Sequence, residues 1–524
     1  MYEFHWLPGS LVQPKLILEF AELYSFHYGV WGEGGRNPGR PIRLSAERIS
    51  RWLVPDSLVV WATALGQLVG YAIAVQTKLP YYGMVSWVTQ LVVHEDHRKQ
   101  DVGKTLLFTI WRFTDHFAWG ILTANPYAIR ALEKATRRRC HPGRIKRHIE
   151  PLRKLGSNVV PYLSSSTDIA ISSVESRIDT DFYVDHSQLL TMISAVVNRD
   201  KPWTLGPLPD GWEWFAFTFQ DQDQIPLTER EIQEMLTASD NLTKHAYSRM
   251  SFAGGGQAWA SHHESEAQFI IQHCELGLRS SVVDFGCGQG RHTIALATKG
   301  IRVTGIDYVP EFIQIARQQA IAKSLANVEF ETADCREAEL GNNFDVAICL
   351  YDVIGSYADD RENLAILDNL VKHVKPGGYI LISVMNLELT ERIAKHWFSV
   401  ASEPDKLLTL KPGRVMETTG DIFDPERFLI DRETKLIYRK EQFVSGHSLP
   451  EELLIRDRRY TDEQIVSLCV SIGLEVKWSR FVRAGKWDDP LPRDSDRAKE
   501  ILVFCQKPNL QELQPNLFDI AESE

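Results

Sequence analysis

Ser281–Asp307 reads SVVDFGCGQGRHTIALATKGIRVTGID, and the fold of the C-terminal half turns on it. Ser281 to Phe285 is a short apolar run of the kind that forms a buried strand. Gly286, Gly288 and Gly290 follow at alternate positions and predict a tight turn. Arg291 to Lys299 has helix composition, and Gly300 is placed to stop it. A second strand, IRVTGID, ends at Asp307, giving a strand-helix-strand unit with a glycine turn at its first crossover. Glycines let a backbone approach a ligand where a Cβ would clash, and an acid at the end of the second strand accepts hydrogen bonds from ribose hydroxyls while repelling a 2′-phosphate. Arg291 stands where a dinucleotide fingerprint has its third glycine, so the pattern is GxGxG. A pyrophosphate needs a free helix N-terminus as well. An adenosyl ligand without phosphates needs only the turn and the carboxylate.

Further elements succeed one another outward from this unit. NVEFETADCRE predicts a third strand ending at Asp334, and FDVAICLYDVIGSY a fourth strand with its exit loop. ENLAILDNLVKHV predicts a helix stopped by the turn Lys375-Pro376-Gly377-Gly378, and YILISVMN a fifth strand. Thr461 and Gln464 form a capping box at the start of TDEQIVSLCVSIG, before the strands LEVKW and AKEILVFCQK. Over residues 246–508 this succession resembles the class I S-adenosylmethionine-dependent methyltransferases, through DFGCGQGRH, the acid of GID, the acid of ADC, and KPGG. The resemblance implies an α/β, Rossmann-like, seven-stranded and mostly parallel sheet whose last strand is reversed. It implies an S-adenosylmethionine site at Asp284, Gly286, Gly288 and Gly290, with Asp307 on the ribose and Asp334 beside the adenine. Tyr351 and Asp352 lie just past the fourth strand, where ligands collect in an open α/β sheet, and are the candidate catalytic residues on the acceptor side. That loop reads LYDV rather than NPPY or DPPY, which argues against DNA amino-methylation. Cys287 and Cys335 read as small fillers, and His292 as a helix-packing residue.

The N-terminal half carries a different signal, SLVVWATALGQLVGYAIAVQ followed by MVSWVTQLVVHEDHRKQDVGKTLL. Two strands joined at Leu65-Gly66 and a third over Val85–Val93 lead into a polar loop, and a helix is expected from Lys104 to near Phe117. Free N–H groups at a helix start favour a diphosphate, and Arg98 and Lys99 add positive charge. The whole run resembles the GNAT acyltransferases, with Gln100-Asp101-Val102-Gly103-Lys104-Thr105 in place of their pyrophosphate loop, and Asn125 of GILTANPYAIRALEKATRRR matching the Asn that starts their next helix. It implies a mixed α+β domain with an acyl-CoA site at Leu91, Val93, Arg98, Gln100, Gly103, Thr105 and Asn125. Two departures bear on catalysis: Leu132 stands where many members have a tyrosine acid, and Thr105 is bulkier than their glycine or alanine. WTLGPLPDGWEWFAFTF reads as a hairpin about a Pro-Asp-Gly turn. Residues 137–154 hold Arg137, Arg138, Arg139, Arg144, Lys146, Arg147, Arg153 and Lys154 against the single acid Glu150, a local basic reversal suited to an anionic acceptor such as nucleic acid.

Composition bounds these readings. The chain has 524 residues, 44% apolar and 24% charged, with a net charge of -11, so it is globular, multidomain and no general polyanion binder. Its 7 cysteines are scattered without CxxC pairs or zinc spacing, which suggests free thiols in a reducing cytoplasm and no metal. MYEFHWLPGS is not a secretory leader, and no membrane span is expected. The expected organisation is a GNAT-like acyl-CoA domain over 1–220, a polar linker with a short helix begun by Thr228 and Glu231 over 221–245, a methyltransferase domain over 246–508, and an acidic tail over 509–524. The expected function is methyl transfer from S-adenosylmethionine plus acetyl or other acyl transfer from acyl-CoA, on a small-molecule acceptor. The alternatives are a methyltransferase with a non-catalytic CoA-sensing or recognition module, and a nucleic-acid modification factor.

Overall fold

The computed structural model of the chain describes residues 2–160, 163–164, 167–198, 201–225, 228–236, 241–250, 261–341, 343–444 and 449–509. The chain divides into two compact units, residues 1–226 with 444–450, and residues 227–443 with 451–524.

The first unit is built on an eight-stranded sheet: β1 (Tyr2–Pro8), β2 (Ser57–Ala64), β3 (Gln67–Leu79), β4 (Gly83–Val93), β5 (Ala118–Thr123), β6 (Ile169–Ile171), β7 (Ser176–Asp179) and β8 (Trp212–Phe219), in the order β1-β2-β3-β4-β5-β8-β7-β6. Leu65 and Gly66, at φ 50° and 78°, make the two-residue turn between β2 and β3 that positive φ at both positions favours. Side chains alternate between the faces. Val60, Ala62, Ala72 and Ala74 join one apolar cluster with the helices Val102–Trp111 and Pro126–Thr136, while Val59, Tyr71 and Ile73 join another with the helix Pro14–His27. Ile73 pairs with Gln90 and Ala74 with Val88, so Thr89 is an extra residue that bulges β4. The parallel ladder between β4 and β5 runs only from Val85↔Ala118 to Val88↔Ile121.

Two expectations for this unit are corrected. The helix expected to reach Phe117 ends at Trp111, because Arg112 and Phe113 adopt left-handed φ of 47° and 54°. WTLGPLPDGWEWFAFTF is not a hairpin. The turn exists, with the Trp212 N–H donating to the Pro209 carbonyl at 3.2 Å. The arm before it is engaged elsewhere, Thr204 Oγ1 donating to the Cys140 carbonyl at 2.8 Å, and only the arm after it forms a strand, β8, which lies between β5 and β7.

The second unit holds a seven-stranded sheet: β9 (Ser281–Phe285), β10 (Arg302–Asp307), β11 (Val328–Thr332), β12 (Phe344–Cys349), β13 (Val374–Met385), then, after an inserted sheet, β18 (Glu475–Val482) and β19 (Glu500–Gln506). The order is β11-β10-β9-β12-β13-β19-β18, with β19 antiparallel to both its neighbours and the remaining pairs parallel. The helix Asp462–Ser471 begins with the expected capping box, Thr461 and Gln464 bonding reciprocally. In the polar segment the Thr228–Glu231 box is also formed, at 2.7 Å and 3.3 Å, ahead of the helix Glu229–Leu236.

Three differences from expectation stand out here. The third strand stops at Thr332, not Asp334, because its ladder ends where Thr332 pairs with Asp307. Lys375-Pro376-Gly377-Gly378 is not a turn between helix and strand but the start of β13. The helix Asp360–Lys372 has already ended, and the register passes from Phe344↔Val374 directly to Val346↔Tyr379. Gly377, at φ 78°, lets this offset form, and its N–H donates to the Lys507 carbonyl at 2.7 Å. The third difference is a four-stranded sheet the sequence did not announce: β14 (Trp397–Phe398), β15 (Leu429–Asp431), β16 (Ile437–Phe443) and β17 (Glu451–Asp457). The acidic stretch from 510 onward lies outside the described residues. Among the described residues no helix is long and apolar enough to cross a membrane, and all seven cysteines are free and buried.

Candidate functional site

The carboxyl ends of β9, β10, β12 and β13 and the first residue of the reversed β19 meet one cavity of about 1210 Å³. Cavities for one drug-sized ligand run ~300–1,000 Å³, so this one has room for a cofactor and an acceptor together. The glycine turn forms its rim. The N–H groups of Gly286 and Cys287 both donate to the Ile306 carbonyl at 2.9 Å, fastening the turn to β10. Gly286 sits at φ 74°, and a Cβ there would stand 2.5 Å from a Val353 methyl. Gly288, at φ 55°, is the opposite case: a Cβ would have no heavy atom within 4 Å, because the space above it is the cavity.

Asp307 holds the turn from the next strand. Its Oδ2 accepts from the Gly288 N–H at 2.9 Å and its Oδ1 from the Val309 N–H at 2.9 Å. Burial pushes its carboxyl up to about 6 against these donors. Asp284 is buried below the turn, accepts from Thr293 Oγ1 at 2.6 Å and is likewise raised by burial. Asp334 lines the cavity one strand further out. Burial would raise its carboxyl, but Arg336, donating from N, Nε and Nη2 at 3.0, 3.1 and 2.8 Å, holds it below the usual range. The acids Asp307 and Asp334 at this edge suit neutral hydroxyls and an exocyclic amine and repel phosphate. With the open space over Gly288, they fit an adenosyl group that carries no phosphate.

A family profile described as a methyltransferase domain matches residues 279–420, which span β9 to β13 and the cavity's glycine rim. These residues form a methyltransferase domain. The chain is similar to the ubiquinone biosynthesis O-methyltransferases of Erwinia tasmaniensis, 28% identical over 146 residues (28% of this chain, 56% of that protein), and Rickettsia prowazekii, 35% identical over 105 residues (20% and 40%). It spans about half the length of these curated relatives. Among solved structures it resembles an S-adenosylmethionine-dependent methyltransferase from Clostridium acetobutylicum ATCC 824, at 14% identity and a TM-score of 0.34 over 47% of this chain and 92% of that one.

Within the methyltransferase domain the structure brings Asp284, Gly286, Gly288, Asp307, Asp334, Tyr351 and Asp352 to one cavity. Gly290, at φ 80°, starts the helix Arg291–Thr298 and packs on Phe330. Tyr351 and Asp352 both have left-handed φ, 59° and 67°, which turns the loop after β12 over the cavity. The cavity extends past the matched region, to Arg439, Arg483, Lys499 and Glu500. Sequence reasoning missed Glu266. Its buried carboxylate accepts from His292 Nε2 at 2.7 Å, from the Gly485 N–H at 2.7 Å and from the Tyr351 hydroxyl. His292 is thus the helix-packing residue expected, and its partner had no local signal because it stands on the helix His263–His273, 26 residues away.

In the first unit, Gln100, Gly103 and Thr105 lie on the loop and helix that follow β4, which carries Leu91 and Val93. Lys99 and Asp101 take left-handed φ of 62° and 57° ahead of the helix Val102–Trp111. A Cβ on Gly103 would meet only a Val93 methyl, at 3.7 Å. Asn125 caps the helix Pro126–Thr136, accepting from the Tyr127 N–H at 2.9 Å. Arg98 is engaged internally, donating to the carbonyls of Val93 and His27, and Gln100 accepts from the Tyr2 hydroxyl at 2.6 Å. Asp101 occupies the loop itself, bonded to Lys104 at 3.0 Å and 3.5 Å from Lys134 Nζ. The basic stretch is largely committed as well: Arg137 to the Ile225 carbonyl, Arg138 to those of Thr136 and Gln220, Arg139 to Glu133, Arg144 to Asp221 and Arg153 to the Thr167 carbonyl.

Proposed function

We propose that the second unit transfers the methyl group of S-adenosylmethionine to an oxygen, nitrogen or carbon atom of a small-molecule acceptor. The observation that carries this reading is the Asp307 carboxylate fastening the Gly288 turn beside open space in a cavity large enough for both substrates. When bound, S-adenosylmethionine supplies a methyl group already activated on a cationic sulfur, so the protein's task is chiefly positioning. The turn at Gly286–Gly290 cradles the amino-acid part, Asp307 orients the ribose and Asp334 the adenine edge. Tyr351 and Asp352 face the acceptor. Methylation of oxygen is what the names of the similar ubiquinone-biosynthesis enzymes state. The family match ends at residue 420, before the acceptor-side Arg439 and Glu500, so their acceptor does not carry over. Calorimetric titration of the purified chain tests the reading: S-adenosylhomocysteine should bind and NAD should not, and the reverse result overturns it.

For the first unit we propose a GNAT-like acyl-CoA domain. Supporting it are the bulge at Thr89, the short β4–β5 ladder that leaves Leu91 and Val93 unpaired on that side, the positive-φ loop, and the uncrowded Gly103 at the helix start. Acyl transfer to an amine is the activity this implies. The non-catalytic alternative draws support from Leu132, 2% exposed in the core where an acid would stand, and from Asp101 in the loop. Acetyl-CoA binding without turnover across a set of amines favours the alternative, and turnover favours the enzyme. The nucleic-acid reading lacks such support, since Arg137–Arg139 are spent internally.

A further inference from the structure

At the end of the cavity away from Asp307 and Asp334, the last two strands of the sheet deliver cations. Arg483, Arg497 and Lys499 all line this end. Val482 of β18 and Glu500 of β19 are the last antiparallel pair of their ladder. Arg483 and Lys499 are the next residue outward on each strand, so the two leave the sheet side by side at the cavity. The Lys499 carbonyl accepts from the Asn386 N–H at 3.0 Å. Beyond Arg483, the Gly485 N–H donates to the Glu266 carboxylate at 2.7 Å, and Trp487 is buried. The backbone that carries Arg483 is therefore fastened on both sides. Three strands, β12, β13 and β19, lie between β18 and β9. At ~4.8 Å per strand that sets β18 roughly 19 Å across the sheet from the strand that feeds the glycine turn.

Arg483 is half-buried, and among the described residues its side chain has no hydrogen bond or ion pair. Nε is its one polar atom both shielded and unpartnered, so the two terminal nitrogens of the guanidinium keep accessible surface. The other charges at this end are matched. Lys499 donates to Asp421 at 2.9 Å, Arg392 reaches Asp496 at 3.4 Å and Arg414 holds Glu417 at 2.9 Å. Burial pushes the Glu500 carboxyl up to about 8, so it adds no negative charge at pH 7. Arg497 is exposed and likewise has no ion pair among the described residues. Beside this unmatched cation runs an apolar wall. Met385 pairs in register with Glu500, and it packs with Ile422 and Phe423, which also line the cavity. A guanidinium whose terminal N–H groups are open forks onto a carboxylate through two parallel, charge-assisted bonds. Asp421 and Asp496 at the same end weigh against a dianionic phosphate.

We propose that Arg483 selects the methyl acceptor, which is a carboxylate with an apolar or aromatic body: Arg483 forks the carboxylate and the body lies on Met385, Ile422 and Phe423. This rests on the methyl-transfer reading above and adds the acceptor's chemical class to it. The acceptor is then held by the end opposite the adenosyl group, which leaves its reactive atom between the two, on the side of Tyr351 and Asp352.

The test is calorimetry at pH 7 on the full chain saturated with S-adenosylhomocysteine. The probes are benzoate, phenylacetate and 3-phenylpropionate, each against its amide, with phenyl phosphate and 2-phenylethylamine alongside. At least one carboxylate should bind about tenfold or more tighter than its amide, the scale of a hydrogen bond to a charged group. Arg483→Gln, folded by circular dichroism, should bring that carboxylate down to the level of its amide. Arg483→Lys keeps the charge without the fork and should recover only part of the loss. Amides that bind as well as the acids, no carboxylate bound, or tighter binding of phenyl phosphate or 2-phenylethylamine overturns the proposal. So does Arg483→Gln weakening S-adenosylhomocysteine tenfold while sparing 5′-methylthioadenosine, because the arginine would then hold the carboxylate of the cofactor's own amino-acid part. If Arg483→Gln fails to fold, the preference for acid over amide in the unsubstituted chain, together with Arg483→Lys, decides the matter. If S-adenosylhomocysteine itself does not bind the unsubstituted chain, it is the methyl-transfer reading that fails.

Discussion

Asp307 accepts from two backbone N–H groups, so one carboxylate both shapes the glycine turn and lines the cavity. We expect Asp307→Ala to weaken S-adenosylhomocysteine by ~1.5–3 kcal/mol, the range for a hydrogen bond to a charged group. Unchanged affinity in calorimetry would refute the ribose assignment. Glu500 makes a separate prediction through pH. Its carboxyl is raised by burial from an ordinary 4.5 to about 8. Between those values the folded chain holds a proton that the unfolded chain has lost. Its contribution to stability is therefore complete below about 4.5 and is lost as pH rises through about 8. Glu500→Gln removes that loss, so relative to the unsubstituted chain it should gain ~1 kcal/mol or more between pH 4.5 and 8.5 in urea unfolding, with no such gain if the site is solvated. Neither Glu500 nor Glu266 could be picked out in the sequence. An acid at the start of an apolar strand and another on an amphipathic helix look like ordinary polar-face residues until the fold buries them.

Elements whose instructions are local were legible. The GxGxG turn, the Thr461–Gln464 and Thr228–Glu231 boxes, the Leu65-Gly66 turn and Asn125 as a helix cap all depend on residues within a few positions of one another. We expect Thr461→Ala to cost ~0.5–2 kcal/mol, read as a shift in denaturation midpoint, since it removes one arm of a reciprocal cap. We expect Gly286→Ala to cost ~1–3 kcal/mol, because it adds left-handed strain and sets a methyl 2.5 Å from Val353. A loss no larger than that of an exposed Gly→Ala change would show the turn to be pliable. Elements whose ends are set by distant partners were misjudged. KPGG reads as a helix stop by composition, yet Lys507 takes up its backbone and draws it into β13. The four-stranded insert was invisible because β16, IYRKEQF, buries Arg439, Lys440 and Glu441, so a run that looks solvated is internal. Arg439 is kept charged there by Asp457, on the neighbouring strand β17.

At the scale of the molecule, each unit has its own apolar clusters: Trp87, Trp214 and Phe217 in the first, Phe285, Ile382 and Val503 in the second. Calorimetric unfolding should accordingly resolve two transitions. S-adenosylhomocysteine at 100-fold its dissociation constant should stabilise one by ~2.7 kcal/mol and leave the other in place, and an equal shift of both would contradict separate cores. The sequence by itself determined the class of the second unit, because glycine turns, caps and apolar periodicity act between near neighbours and survive without knowledge of the whole. It also determined the turn, the Asp307 strand end and the Tyr351-Asp352 loop, which line one cavity. Only the tertiary structure decided the acceptor side. Arg439 and Glu500 line the cavity from an inserted strand and a reversed last strand, and Glu266 holds Tyr351 and His292 from a preceding helix; their burial and partners exist only once those distant segments pack together.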